Sequence, residues 1–353
     1  MKIILRLFIN IVSLRSMESL TFEALKSLLQ APKKTVIIPH VNPDGDAIGS
    51  ALGLQQYLTQ KAHRATVIVP NDYPKFLKWI PGTSEVINFE KNTALAKKTL
   101  DAAELLFTLD FNALHRSGPM QNELEKNKAL KIMIDHHQQP ENYAAFKYSD
   151  TDMGSTAEMI YHFICKLGDK ALINKAIGSA LYTGIMTDSA SFRFPKTTAT
   201  THRVVGELLE LGVDHSNIHN LVYDTNRHER IQLLGTALKN LCVLVPYNTA
   251  FITLSQAELE ACNYQKGDTE GLVNYGLSVE KVDLAAIFIE KKSEGIVKVS
   301  LRSKGGVDVN QFARNHYNGG GHKNAAGGNS VQSLKATVET FISLVAKYKT
   351  PKV

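Results

Sequence analysis

The sequence predicts an α/β protein of two domains, a larger one built on a parallel sheet and a smaller one that also mixes strands and helices. Three observations predict this. The chain has 353 residues, which is more than one ordinary domain needs. Short apolar runs alternate with helix-like segments through the first half, as in a doubly wound parallel sheet. Strand-like runs then return only after a polar, helical stretch at about 195–228.

The first half carries four short apolar runs that we expect to be strands buried on both faces. They are residues 35–39, 66–70, 105–109 and 131–134. Helix-like segments alternate with them or follow them, at 47–60, 93–103, 154–167 and 174–186. We therefore expect a first domain over 17–195, preceded by an extra segment at 1–16.

The second half begins with helical segments and then returns to strands. Helices are predicted at 200–211 and 227–241, and strands at 242–245, 249–253, 284–290 and 295–302. A helix at 309–315, a glycine-rich loop at 319–328 and a last helix at 334–347 complete the chain. We expect a helical linker at 196–230 and a smaller α/β domain at 231–348, with the two domains facing a cleft.

The first residues, MKIILRLFINIVSL, are apolar, but they do not predict a membrane protein. Arg6 interrupts the run, no small-residue cleavage site follows, and the stretch is too short to span a bilayer. Met17 then opens a plausible helix start, so we expect translation to begin there. No membrane association is expected.

Cysteine usage and charge constrain the class of protein. The chain has three widely spaced cysteines, Cys165, Cys242 and Cys262, and no CxxC pair. This pattern disfavours a disulfide scaffold or a zinc ribbon, and it favours a cytoplasmic location. The net charge of +6 and the pI near 9.0 suit a polyanionic ligand such as a nucleotide, although a merely basic surface explains them equally well.

Three of the four predicted strands end in side chains that bind metals. They are His40, Asp44 and Asp46 after the first, Asp110 after the third, and Asp135, His136 and His137 at the fourth; Asp188 follows a later helix. Ligands of open parallel sheets bind beyond the carboxyl ends of the strands, so these groups are expected in one crevice. Gly45, between two of the aspartates, is expected to permit a tight turn.

The chemistry of this set favours a pair of cations. Four aspartates in one crevice (44, 46, 110 and 188) would repel one another unless divalent cations were bound. Oxygen ligands with a minority of imidazoles favour Mn²⁺ or Mg²⁺ over structural zinc. Two such ions could activate a water molecule and neutralise a phosphoryl transition state.

Each of these residues also has an ordinary structural explanation. An Asp-x-Asp pair on a turn is commonly a cap, Asp110 could cap the next helix, and Asp135 could orient the neighbouring imidazole. Their common position at strand ends favours the metal hypothesis.

Further candidates could bind a phosphate. Gly319, Gly320 and Gly321 precede His322, and such a run allows backbone N–H groups to approach an anion. Arg302 ends a strand and could pair with the same phosphate. Arg193 lies between Phe192 and Phe194, a composition that can stack a base, but a flexible turn and a core position are the alternatives for the glycines and the phenylalanines.

Five segments in this order resemble the motifs of the DHH phosphoesterases. They are HVNPDGDAIGS (40–50), the strand end at Asp110, IDHH (134–137), TDSASFRF (187–194) and, resembling the DHH-associated C-terminal domain, GGGHKNAAGG (319–328). The closest group looks like the NrnA-type enzymes, bifunctional oligoribonucleases and pAp (adenosine 3′,5′-bisphosphate) phosphatases. One departure is that Ser189 and Ala190 stand where the group usually has Thr-Gly.

The resemblance implies specific roles and a function. His40 and Asp44 would hold one metal, Asp46, His136 and Asp188 the other, and Asp110 would bridge both. His137, with Asp135 beside it, would act on the reacting phosphate, while Arg302 and His322 would bind another substrate phosphate. We expect two ions, manganese or else magnesium, and hydrolysis of nanoRNA to mononucleotides and of pAp to AMP.

Other functions stay open. The nearest is a cyclic or linear dinucleotide phosphodiesterase, and a different class is a non-catalytic nucleotide sensor. The expected partners are short single-stranded RNA and small nucleotide phosphates, and a homodimer would be unsurprising.

Overall fold

The computed structural model describes residues 20–349 as two compact units, divided after Val222. The extra segment proposed at 1–16 and the proposed start at Met17 lie outside the described residues. Among the residues from 20 to 349, no helix is both long and apolar enough to cross a membrane. The linker and domain boundaries given above stay a prediction.

The first unit is built on a parallel sheet with the strand order β3-β2-β1-β4-β5-β6. The four predicted strands are all present, which confirms the predicted fold class. Two short strands at the sheet edges, β3 and β6, were not predicted. The strands are β1 (Lys34–Pro39), β2 (Arg64–Val69), β3 (Ile87–Asn88), β4 (Leu105–Leu109), β5 (Leu130–Asp135) and β6 (Phe146–Ser149).

Helices cover the faces of this sheet, and their apolar residues form its core. The helices are α1 (Phe22–Leu28), α2 (Gly45–Gln60), α3 (Thr93–Asp101), α4 (Gln121–Lys126), α5 (Thr156–Lys166), α6 (Lys175–Asp188), α7 (Ala199–Glu210) and α8 (His215–Tyr223). β4 is buried along its whole length, as expected of a central parallel strand. In the polar stretch read as a connector, Leu208 of α7 and Ile218 of α8 are buried in the same core.

The second unit contains a mixed sheet with the order β11-β12-β10-β9-β8-β7, in which β8 and β9 pair in parallel and the other neighbours pair antiparallel. Its strands are β7 (Cys242–Leu244), β8 (Thr249–Leu254), β9 (Leu284–Lys291), β10 (Ile296–Ser303), β11 (Gly320–His322) and β12 (Ala325–Ser330). Its helices are α9 (His228–Lys239), α10 (Gln256–Ala261), α11 (Leu272–Leu277), α12 (Val309–His316) and α13 (Leu334–Lys349). Phe288, Phe312 and Phe341 meet in the core on one side of the sheet.

The prediction of a glycine-rich loop at 319–328 was wrong, because the segment forms the antiparallel hairpin β11–β12. The glycines are needed there for close packing. A Cβ atom on Gly319 would lie 1.9 Å from the carbonyl oxygen of Gly327, and one on Gly328 would lie 2.3 Å from that of Tyr317. Gly321 also has a φ of +147°, which side-chain-bearing residues rarely adopt.

Candidate metal centre

The carboxyl edge of the parallel sheet collects the predicted ligands. β1, β4 and β5 are neighbours, so His40, Asp110 and Asp135 leave the sheet side by side. Asp44 is the N-cap of α2, where its Oδ1 accepts hydrogen bonds from the backbone N–H groups of Asp46 and Ala47. Asp188 is the last residue of α6.

Two groups of potential ligands lie next to each other. The first is His40, Asp44 and Asp110, and the second is Asp46, His136 and Asp188. Within each group, one ligand atom from every residue lies within 4.8 Å of the others. Asp110 faces both groups, because its Oδ2 lies 3.4 Å from Nε2 of His40 and its Oδ1 lies 3.4 Å from Nε2 of His136.

The backbone hydrogen bonds of His40 and His136 leave a lone pair on Nε2 of each ring, and this nitrogen faces the carboxylates. His40 Nδ1 donates to the carbonyl oxygen of Val41 at 2.8 Å, and His136 Nδ1 donates to that of Met153 at 3.2 Å. A neutral imidazole that is protonated at Nδ1 carries its lone pair on Nε2. Because a lone pair facing carboxylate oxygens is repulsive, the arrangement needs either extra protons or a cation between the groups.

The spacing of the groups suits a cation. Nε2 of His136 lies 3.8 Å from Asp46 Oδ2 and 3.5 Å from Asp188 Oδ2, which is longer than an ordinary hydrogen bond. Ligands about 2.1 Å from a common ion are themselves roughly 3–3.5 Å apart. The residues of the two groups therefore fit divalent cations, and Asp110 lies between the groups.

The pKa values of the three carboxylates Asp46, Asp110 and Asp188 reflect the same repulsion. Burial raises the pKa of Asp46 well above its ordinary value, and repulsion from Asp110 and Asp188 adds to it. Burial raises the pKa of Asp188 to about 7. Burial opposes the ionisation of Asp110 as well, but the imidazoles of His136 and His40 hold its pKa well below the usual range. Bound cations would take the place of the protons that this cluster otherwise retains.

The N-terminus of α5 supports the centre, although it was not predicted from the sequence. Asp46 accepts hydrogen bonds from the backbone N–H groups of Thr156 at 2.7 Å and Ala157 at 2.8 Å. The hydroxyl of Thr156 donates to Asp110 Oδ1 at 3.0 Å. Ser155 caps this helix, with Glu158 three residues later, and that S-x-x-E pattern was the available signal.

Glycines bring α2 and α6 close enough to form the second ligand group. A Cβ atom on Gly49 would lie 2.5 Å from the carbonyl oxygen of Ala180, and one on Gly184 would lie 2.9 Å from Asp46 Oδ1. A Cβ atom on Gly45 would lie 2.2 Å from the Thr187 hydroxyl. The expectation that Gly45 permits a tight turn was wrong: it is the first residue of α2, and its need for glycine is steric.

His137 and Asp135 form a separate pair beside the two ligand groups. Nδ1 of His137 lies 2.7 Å from Asp135 Oδ1, and its backbone N–H donates to Asp135 Oδ2. Burial lowers the pKa of His137 well below its usual value, and the charge of Arg116 acts in the same direction. Burial also raises the pKa of Asp135 to about 7. The pair fixes the ring and makes Nε2 the nitrogen that could exchange a proton with a reactant.

A strained turn follows Asp188. Ala190, Ser191 and Phe192 all have positive φ, between 49° and 65°. Phe192 packs against the core and the ring of Tyr182, which favours the core alternative for this residue. Arg193 is exposed, and its Nε donates to the carbonyl oxygen of Ala190.

The remaining candidates belong to the second unit. Arg302 of β10 lies opposite Ala325 of β12, and Ala325 lies opposite His322 of β11, so Arg302 and His322 lie on either side of Ala325 in one row of the sheet. The structure thus brings together all six candidate metal ligands and the Asp135–His137 pair within the first unit, and Arg302 with His322 within the second.

Comparisons with known proteins match both units. Residues 34–185 match the model of the DHH family, N-terminal domain, and residues 254–348 match that of the DHHA1 domain. The bifunctional oligoribonuclease and PAP phosphatase NrnA of Thermus thermophilus is 31% identical, with 82% of each chain covered. The probable bifunctional oligoribonuclease and PAP phosphatase NrnA of Streptococcus mutans is 29% identical over 88% of this chain and 93% of its own.

A solved structure is similar over nearly the whole chain. It is an exopolyphosphatase-related protein from Bacteroides fragilis, 36% identical, with a TM-score of 0.89. The alignment covers 93% of this chain and 96% of that one.

Proposed function

The chain belongs to the DHH family of phosphoesterases, and on that premise we propose that it hydrolyses short oligoribonucleotides to mononucleotides and pAp to AMP. The two NrnA relatives, whose names carry both activities, support this choice of substrates. One observation carries the proposal: the two oxygens of Asp110 each face a histidine–carboxylate group at the carboxyl edge of a parallel sheet.

We propose that these groups hold two divalent cations, manganese in preference to magnesium. His40 and Asp44 would bind one ion, Asp46, His136 and Asp188 the other, and Asp110 both. When bound, the ions would supply Lewis acidity for the phosphoryl oxygens and a water of lowered pKa. Imidazole in an oxygen-rich set favours manganese, since magnesium prefers oxygen alone.

The protein's own groups would orient the substrate and handle protons. His137, held by Asp135, is suited to contact the reacting phosphate or to assist proton transfer by accepting a proton at Nε2. Thr156 and the N-terminus of α5 fix Asp46 and Asp110, so the ligands need little rearrangement when ions bind. Arg302, His322 and the glycines at 319–321 of the second unit, and Arg193 of the first, would contact the phosphates of the substrate.

A substrate panel tests this function. Purified protein with Mn²⁺ would be assayed against pAp, linear di- to pentanucleotides and cyclic dinucleotides, with Asp110→Asn as the control. We expect turnover of pAp and linear oligonucleotides, and a loss of at least about 1,000-fold in Asp110→Asn because both ions lose a ligand. Exclusive turnover of cyclic dinucleotides would favour the phosphodiesterase alternative, and binding without any turnover would favour the sensor.

A further inference from the structure

One face of the second sheet is lined by partly exposed residues over β10, β12 and β11, and we call it the open face. Directly opposed residues of antiparallel strands point to the same side, and so do alternate residues along a strand. Ser300, Gly327 and Gly320 therefore share a face with the next row, Arg302, Ala325 and His322. Val299 and Leu301 of β10 point to the other face and are buried, whereas Ser300 and Arg302 remain partly exposed.

The middle of the open face has almost no side chains. Gly320, Gly327 and Ala325 form a shallow floor, on which a ligand could approach the backbone closely. Gly320 differs from the neighbouring glycines, because a Cβ atom there would meet nothing nearer than 3.6 Å. Packing explains glycine at 319, 321 and 328, but no contact among residues 20–349 requires it at 320.

Arg314 of α12 lies next to Gly320, at the edge of this floor. The central guanidinium carbon and Nε of Arg314 are both 3.7 Å from the position that a Cβ atom of Gly320 would occupy. Nε of Arg314 donates to Oδ1 of Asn310 at 3.2 Å. Because Asn310 is only 4% exposed, this bond restrains the position of the guanidinium. Within residues 20–349, Arg314 forms no ion pair, although its side chain is exposed.

From this geometry we propose that Arg314 is a substrate-binding residue, whose guanidinium binds a phosphate group of the nucleotide substrate over Gly320. The proposal rests on the proposed function and adds a residue to its substrate site. Because Asn310 occupies Nε, the two terminal nitrogens are left for a two-pronged contact with phosphate oxygens. Glycine at 320 lets that phosphate lie against the strand.

Equilibrium binding and kinetics test the role of Arg314 in the full-length protein. The probe is 5′-fluorescein-labelled diadenylate, titrated by anisotropy into Asp110→Asn protein with and without Arg314→Ala. Loss of charged hydrogen bonds should raise Kd about 10- to 100-fold. In the active protein, Arg314→Ala should raise KM by a similar factor and leave kcat within about threefold, because the contact is equal in ground and transition states.

Two further variants separate a binding role from a structural one. Arg314→Gln removes the charge but keeps a side chain that can reach Asn310, so it should weaken binding as Arg314→Ala does. Gly320→Ala fits the folded protein without a clash, yet should raise KM by crowding the phosphate. The matched control is Arg203→Ala, since Arg203 is an exposed arginine on α7 whose guanidinium donates to the Thr200 hydroxyl.

The outcomes distinguish this inference from the proposed function. An unchanged diadenylate Kd in both Arg314 variants would overturn the role of Arg314, even if the wild-type protein hydrolyses RNA. Absence of hydrolysis by the wild-type protein, with Kd still raised by Arg314→Ala, would overturn the proposed reaction and leave the phosphate contact standing.

Discussion

Gly49→Ala should damage both stability and the metal centre, although alanine is the better helix former. The added Cβ atom would lie 2.5 Å from the carbonyl oxygen of Ala180 and 2.9 Å from the backbone nitrogen of Gly184. Reaching an ordinary contact of 3.4 Å requires α2 and α6 to separate by about 0.9 Å locally. Backbone atoms cannot move aside as a flexible side chain can, so the helices themselves must shift.

The expected cost is about 1–3 kcal/mol of the free energy of unfolding, as for other overpacked cores. The same shift would separate Asp46 from Asp188, and a displacement of about 1 Å in a catalytic constellation can cost roughly 100-fold in rate. Urea unfolding in EDTA would measure the first effect, and Mn²⁺-dependent hydrolysis of pAp the second.

Gly206→Ala provides the matched control for this substitution. Gly206 lies within α7, and a Cβ atom there would meet no atom of the described residues within 4 Å. The substitution should therefore stabilise the protein by up to about 1 kcal/mol through helix propensity and leave activity unchanged. A Gly49→Ala protein as stable and as active as Gly206→Ala would refute the predicted clash between α2 and α6.

Three further predictions concern the turn, a buried histidine and the α5 N-terminus. Ala190→Gly should stabilise the protein by about 1 kcal/mol in thermal unfolding, because it removes the backbone strain of an alanine with a φ of +49°. A lower melting temperature would contradict this. His63 is buried, with Nδ1 accepting from the Lys33 N–H and Nε2 donating to the Leu29 carbonyl, and burial lowers its pKa. The pKa of His63 in the folded protein lies below the unfolded value of about 6.5. The stabilisation that the neutral ring gives to the folded state is therefore present above about pH 6.5 and is lost as the pH falls. Urea unfolding of His63→Asn should thus depend less on pH between 7 and 5 than wild type, and equal slopes would exclude the role. Thr156→Val should lower the rate of pAp hydrolysis about 10-fold, because Asp110 loses one hydrogen bond while the backbone bond to Asp46 remains; an unchanged rate would show that Asp110 needs no such support.

Strand ends were the part of the site that the sequence could predict. A parallel strand buried on both faces has a distinct apolar signature, and the residue after it must lie at the carboxyl edge. His40, Asp110 and Asp135 occupy such positions, and they are adjacent because β1, β4 and β5 are neighbours. The short edge strands β3 and β6 lack this signature, since each is only partly buried.

Contacts between distant elements were beyond sequence reasoning. Gly45 looks like a turn residue in a DGD motif, but its lack of a side chain serves packing against Thr187, 142 positions later. Gly319 and Gly328 look like loop residues, yet they allow a hairpin to pack backbone against backbone. A single sequence records which residues are small, but not which neighbour requires them to be.

Counting bound manganese tests the central claim that Asp110 joins two cation sites. Equilibrium dialysis of the full-length protein against Mn²⁺, with electron paramagnetic resonance of the bound ions, would give both the stoichiometry and any coupling between the ions. The arrangement of the ligands predicts two spin-coupled ions per chain in the wild-type protein and loss of the coupled pair in Asp110→Asn. Two coupled ions retained by Asp110→Asn, or no bound manganese in the wild-type protein, would contradict it.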